Sequence, residues 1–134
     1  MATVRREIDI EAAAADVWEI ISDFSTGPQR MAPGLVTDCR LDTPEVRVVT
    51  FANGTVARER LIGIDHHTRR LAFSIIGDTV HPTHDNASME VIVSAHNRTH
   101  FVFIHDVLPN ELATPMGAAM DHAILTLKRA MEES

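Results

Sequence analysis

Tyrosine is absent from this 134-residue chain, cysteine and tryptophan occur once each, and only one of its twelve basic residues is a lysine. A lone cysteine, Cys39, cannot close an intrachain disulfide, so the disulfide framework of a small secreted domain is excluded and a reducing cytoplasm is the expected setting. Nineteen acidic residues against twelve basic ones give a net charge of −7. That balance disfavours a grip on nucleic acid or an anionic membrane. No apolar run approaches the ~20 residues of a membrane span, and the N-terminus lacks the basic-then-apolar pattern of a signal peptide. The six glycines are scattered, so no phosphate-binding loop forms, and no G-x-S-x-G elbow is present. Without tyrosine hydroxyls, polar chemistry falls to carboxylates and to the eight histidines.

What is present fits one domain over 1–134, with 45% hydrophobic residues for one core. TVRREIDI at 3–10 alternates apolar and polar residues as a half-buried strand does. Val17, Ile20, Ile21 and Phe24 follow at spacings of three and four, the stripe of an amphipathic helix of about two and a half turns. Ser25-Thr26-Gly27-Pro28 ends it, and 29–31 has room for one more helical turn. From Leu35 to Leu108 the period is two, which predicts six antiparallel strands near 35–42, 45–51, 55–65, 70–76, 87–95 and 99–108. Met116, Met120, Ala123, Ile124, Leu127 and Met131 then recur at helical spacing, with Thr114 as N-cap and Pro115 at the first helical position as the unstrained start.

Two loops set the registers. Asn53-Gly54 as a two-residue type I′ turn places Thr50 opposite Ala57, Val48 opposite Glu59 and Val46 opposite Leu61. The other face then carries Arg47, Arg58 and Arg60 and reads as solvent. Glu59 lies on the apolar face. A three-residue loop at 96–98 puts Met89, Val91 and Val93 on the side of Phe101, Phe103 and His105.

The order of these elements resembles the START-like helix-grip superfamily (SRPBCC), in its polyketide cyclase/dehydrase and lipid-transport branch. IDIEAAAADVWEIISDF is similar to the family's opening strand and helix, GTVARERLIGIDHHTRRLAFSI to its central hairpin, and FVFIHDVLPNEL to its last strand running into the final helix. The resemblance implies an α+β fold in which a seven-stranded antiparallel sheet curls around a long C-terminal helix, with one or two short helices after the first strand. It also implies an apolar cavity for a small hydrophobic molecule, polyketide-like or lipid, and no cofactor. It leaves binding and cyclase/dehydratase chemistry both open.

Within that cavity the expected wall is Val48, Leu61, Phe73, Met89, Phe101, Phe103, Met116 and Met120, with methionines suited to ligands of varied shape. Glu59 among apolar neighbours resists ionisation and could act as general acid or base; alternatively it is an acid paired with arginine or backbone. His105, beside two Phe rings, could polarise a carbonyl or shuttle a proton, or be a core histidine satisfied by a neighbouring acceptor. In the enzyme reading Glu59 and His105 are the acid/base pair. His81 and His84 stand at H-x-x-H spacing with only Asp78 or Asp85 as a local third ligand, so the segment reads as a polar loop at the cavity mouth rather than a metal site. In that loop His84 or Asn86 would touch a ligand. His66 and His67 fall in an exposed turn, and Cys39 has no histidine partner. Val102, Ile104 and Ile92, on the outward face, form a candidate homodimer patch.

Overall fold

Alternation of period two and stripes of period three to four sort the chain into the expected elements. The computed structural model describes residues 1–133. Strand β1 (Ala2–Ile10) is followed by helices α1 (Ala14–Ile21) and α2 (Gly27–Met31). Strands β2 (Val36–Thr43), β3 (Val46–Phe51), β4 (Val56–Asp65), β5 (Arg70–Asp78), β6 (His84–Ser94) and β7 (Arg98–Leu108) come next. A 3-10 turn at Asn110–Leu112 leads into helix α3 (Ala113–Glu132). The strands form one antiparallel sheet in the order β1-β7-β6-β5-β4-β3-β2. The chain therefore has the helix-grip fold, a seven-stranded sheet with a long C-terminal helix on its inner face.

Helix α3 is fastened to one edge of the sheet. Gly117 sits so close to β1 that a Cβ there would stand 2.6 Å from the Arg6 guanidinium and 3.5 Å from Val4. Arg6 Nε donates to Asp121 at 2.6 Å, Lys128 Nζ to the Asp9 carbonyl at 2.8 Å, and the Glu11 amide to Glu132 at 2.9 Å. Held along β1, the helix buries Met120, Ile124 and Leu127 yet leaves space over the middle strands.

Four local expectations need correction. The helix does not start with Thr114 as cap: Leu112 occupies that place, and Pro115 is the third helical residue. Its missing N–H is one that the first turn leaves unpaired anyway, so nothing is lost. The β6–β7 loop is 95–97 rather than 96–98, pairing Val91 with Phe101 and Met89 with Phe103. That two-residue shift preserves which side chains share a face. Strand β6 begins at His84, not 87. The β3–β4 hairpin matters most. Its loop has three residues, Ala52 to Gly54, closed by Phe51 N–H donating to the Thr55 carbonyl at 2.8 Å, and only Gly54 is left-handed, with φ +90°. This is a type I turn with glycine in the bulge position, and it slips the register by one. Arg47 lies opposite Glu59, Val48 opposite Arg58, and Val49 opposite Ala57.

Candidate functional site

The register slip turns Arg47 inward. Arg47 is 2% exposed, and its guanidinium donates through Nε to Glu59 Oε1 at 2.8 Å and through Nη1 to the Phe24 carbonyl at 3.3 Å. It lies over two rings, with Cζ 4.4 Å from the Phe24 centroid and 5.0 Å from that of Phe73. Two nearby rings and a hydrogen-bonded carboxylate satisfy a guanidinium well without water. Glu59 faces inward as expected, and the carboxylate is the paired one. Val48, on the opposite face of β3, is buried but is not on the cavity wall; Arg58 beside it bridges to Asp42 at 2.6 Å.

A second polar pair lies two strands away. Pairing of β5 with β6 runs only from Arg70–Glu90 to Phe73–Ala87, although β4–β5 pairing continues to Asp78 and β6–β7 pairing to His84. The two strands part beyond Phe73, and Asp85 bridges the gap with its side chain. Its Oδ2 accepts the Ile75 amide at 2.7 Å, its own carbonyl accepts Ser74 Oγ at 2.6 Å, and its Oδ1 is 2.8 Å from His105 Nδ1. Asp85 is thus an inward residue of β6 rather than part of a mouth loop. His105 packs edge-on against Phe73 and tilted on Phe103, at centroid distances of 5.9 and 5.2 Å. The Phe73 ring touches both pairs.

Between sheet and α3 lies a cavity of about 530 Å³, well within the range for small-molecule sites. Phe73, Met89, Phe103, Met116 and Met120, all expected there, are on its wall together with Glu59 and His105. Phe101 belongs to the core and the half-buried Leu61 packs against it, but neither borders the cavity. His84 is exposed, and neither it nor Asn86, whose neighbour Asp85 takes the inward position, lines the space. Residues not foreseen include Arg47, Val49, Phe51, Thr55 and Ala57, and the exposed Asn53 and His122.

Among the described residues no buried side-chain nitrogen or oxygen lacks a partner. Glu59 Oε2, Arg47 Nη2 and His105 Nε2 carry no hydrogen bond, so each retains accessible surface, and for these buried side chains that surface is the cavity. The space is therefore apolar, with one donor and two nitrogen or oxygen groups held ready on its sheet side.

Other candidates fall elsewhere. His66 is exposed but accepts the Trp18 indole N–H at 3.1 Å, which locks α1 to the β4–β5 turn. Burial pushes the Cys39 thiol up to about 11, which keeps it from acting as a thiolate. No group of three metal-ligating side chains occurs among the described residues, and no helix is long and apolar enough to cross a membrane. On the outer face Val102 is buried and Ile104 half-buried, leaving Ile92, 40% exposed, as the open member of the expected dimer patch.

Residues 1–134 match the model of one protein family, described as polyketide cyclase / dehydrase and lipid transport. Among solved structures, an uncharacterized protein from Bacillus thuringiensis is 17% identical with a TM-score of 0.86, covering 97% of this chain and 98% of that one. A START superfamily protein from Mycobacterium smegmatis is 16% identical with a TM-score of 0.79, covering 98% and 97%. The di-domain ARO/CYC BexL from the BE-7585A biosynthetic pathway is 14% identical with a TM-score of 0.81; 98% of this chain aligns with 47% of that one. The search of curated proteins finds no match.

Proposed function

Since the chain belongs to the polyketide cyclase / dehydrase and lipid transport family, we propose that it binds a small hydrophobic molecule, polyketide-like or lipid, between the sheet and α3. The observation that carries this reading is the cavity of about 530 Å³, whose wall is chiefly aliphatic, methionine and phenylalanine side chains. Apolar wall supplies affinity by excluding water, and the few polar atoms orient the ligand. Arg47 and Glu59 together offer a donor beside an acceptor, which suits a carbonyl or hydroxyl at the ligand's polar end. Fluorescence titration with N-phenyl-1-naphthylamine tests it. Wild type is expected to show one saturable site, and Ala57→Phe, which fills the space beside Glu59, to abolish it while circular dichroism stays native. Unchanged binding in Ala57→Phe would put the probe elsewhere and overturn the reading.

A second reading, a cyclase/dehydratase-type enzyme, is favoured by His105, whose Nε2 meets the cavity while Asp85 holds the other side of the ring. A histidine held this way is equipped for proton transfer. Glu59 and His105 stand on β4 and β7 with separate partners, so in this reading His105 takes the proton and Glu59, with Arg47, holds the substrate oxygen. Incubation with a linear triketone checks it: His105→Gln is expected to lose product formation while keeping probe binding.

A further inference from the structure

We infer that Asp85 fixes the tautomer of His105, and that the cavity ligand is consequently a neutral molecule that presents a hydroxyl hydrogen to Nε2. This rests on the cavity-binding reading and names the ligand chemistry within it. The chain of contacts starts at the backbone. Where β5 and β6 part, the Ile75 amide has no ladder partner and takes Asp85 Oδ2 instead, at 2.7 Å. The carboxylate's other oxygen faces His105 Nδ1 at 2.8 Å. A carboxylate offers only acceptors, so Nδ1 carries a ring hydrogen, and in the neutral ring Nε2 is left with its lone pair. Phe73 and Phe103 hold the ring from two sides, so it has no freedom to exchange its nitrogens. Nε2 therefore enters the cavity as a hydrogen-bond acceptor.

The charges around the cavity select further. Glu59 neutralises Arg47 at 2.8 Å, and Asp85 has no arginine or lysine among its partners. With the ring neutral, the Asp85 charge just behind the wall is uncancelled and repels a free carboxylate. An apolar body with a phenolic or enolic hydroxyl fits: its O–H donates to Nε2, and a second oxygen reaches Arg47 Nη2. A fatty acid does not.

Asp85 is then a positioning residue, and its role can be inverted without changing its shape. In Asp85→Asn the Ile75 amide still requires an oxygen, so the amide NH2 must face His105. Nδ1 becomes the acceptor and the hydrogen moves to Nε2, which turns the cavity's acceptor into a donor. A residue that merely braced the sheet would not produce this reversal.

The test combines ¹⁵N NMR of the His105 ring with titration of 2-naphthol, 2-methoxynaphthalene and 2-naphthoate. Wild type is expected to carry the hydrogen on Nδ1 and to bind 2-naphthol about tenfold or more tighter than 2-methoxynaphthalene, the cost of one unmade buried hydrogen bond. Naphthoate should bind more weakly than naphthol. Asp85→Asn should carry the hydrogen on Nε2 and lose the preference for naphthol. Wild-type hydrogen on Nε2, or equal binding of naphthol and its methyl ether, overturns the inference and leaves the cavity reading standing. If none of the three binds, the cavity reading falls and the inference with it. Should Asp85→Asn fail to fold, the wild-type tautomer and the naphthol preference decide alone.

Discussion

Two buried polar pairs flank the Phe73 ring, and they differ in what they leave free. On β3 and β4, Arg47 and Glu59 cancel each other's charge, and two aromatic rings pack against the guanidinium. On β6 and β7, Asp85 spends both carboxylate oxygens on the protein, and His105 keeps an unbonded nitrogen against the cavity. The first pair is closed in charge, although Arg47 Nη2 and Glu59 Oε2 still meet the cavity. The second leaves a ring nitrogen free against the cavity, where proton transfer as well as recognition can occur. A buried polar group thus acquires a role by the partner it lacks.

Breaking the closed pair should cost most. Glu59→Ala strands the Arg47 charge and is expected to lower stability by about 3 kcal/mol in urea unfolding, the low end for buried pairs because Arg47 borders the cavity. The double substitution Arg47→Met with Glu59→Leu removes both charges and should cost less than about 1 kcal/mol. If the double variant is as unstable as the single one, packing against Phe24 and Phe73 rather than charge explains Arg47.

Breaking the open pair should cost less and reveal more. Asp85→Ala strips the Ile75 amide and His105 of their acceptor, with an expected loss of about 2 kcal/mol by the same unfolding assay. Phe73→Ala touches both pairs at once. If the ring organises them, its effect on binding of N-phenyl-1-naphthylamine should exceed that of Met89→Ala, measured by the same fluorescence titration.

The smallest effect lies outside the cavity, on the sheet's other face. Asp9, at 2.7 Å, and Glu7, at 3.0 Å, hold His100 and raise its pKa above the ordinary 6.5. The folded state binds that proton more tightly than the unfolded chain does. Stability from this cluster is therefore fully present below pH 6.5 and fades as pH rises through the elevated folded value. His100→Gln should flatten this decline in unfolding curves taken from pH 6 to 8; an unchanged slope would assign it to another group.

The fold was legible because period and punctuation agree along the chain: β1, α1, the strand series and α3 each present one apolar face. The site was half legible. Asn53-Gly54 suits both a two-residue turn and a three-residue loop with glycine left-handed, and one residue of slip moves Arg47 from solvent to cavity. Charge pairing carried the missing signal, since the two-residue register leaves Glu59 facing Val48 with no cation opposite. Asp85 was hidden by the polar run His81-Pro82-Thr83-His84. Counting back by twos from Met89 through Ala87 would have placed it inward. The parting of β5 and β6 has no counterpart in the sequence pattern, because it depends on how the sheet curls over α3.

The six methionines offer the most direct measurement. Met31, Met89, Met116 and Met120 border the cavity, whereas Met1 and Met131 do not. With ¹³C-labelled methionine methyls, addition of N-phenyl-1-naphthylamine is predicted to shift the first four resonances in one saturable step and to leave the other two unmoved. Shifts confined to Met1 and Met131, or no shifts while the probe still fluoresces, would contradict a ligand site between sheet and helix.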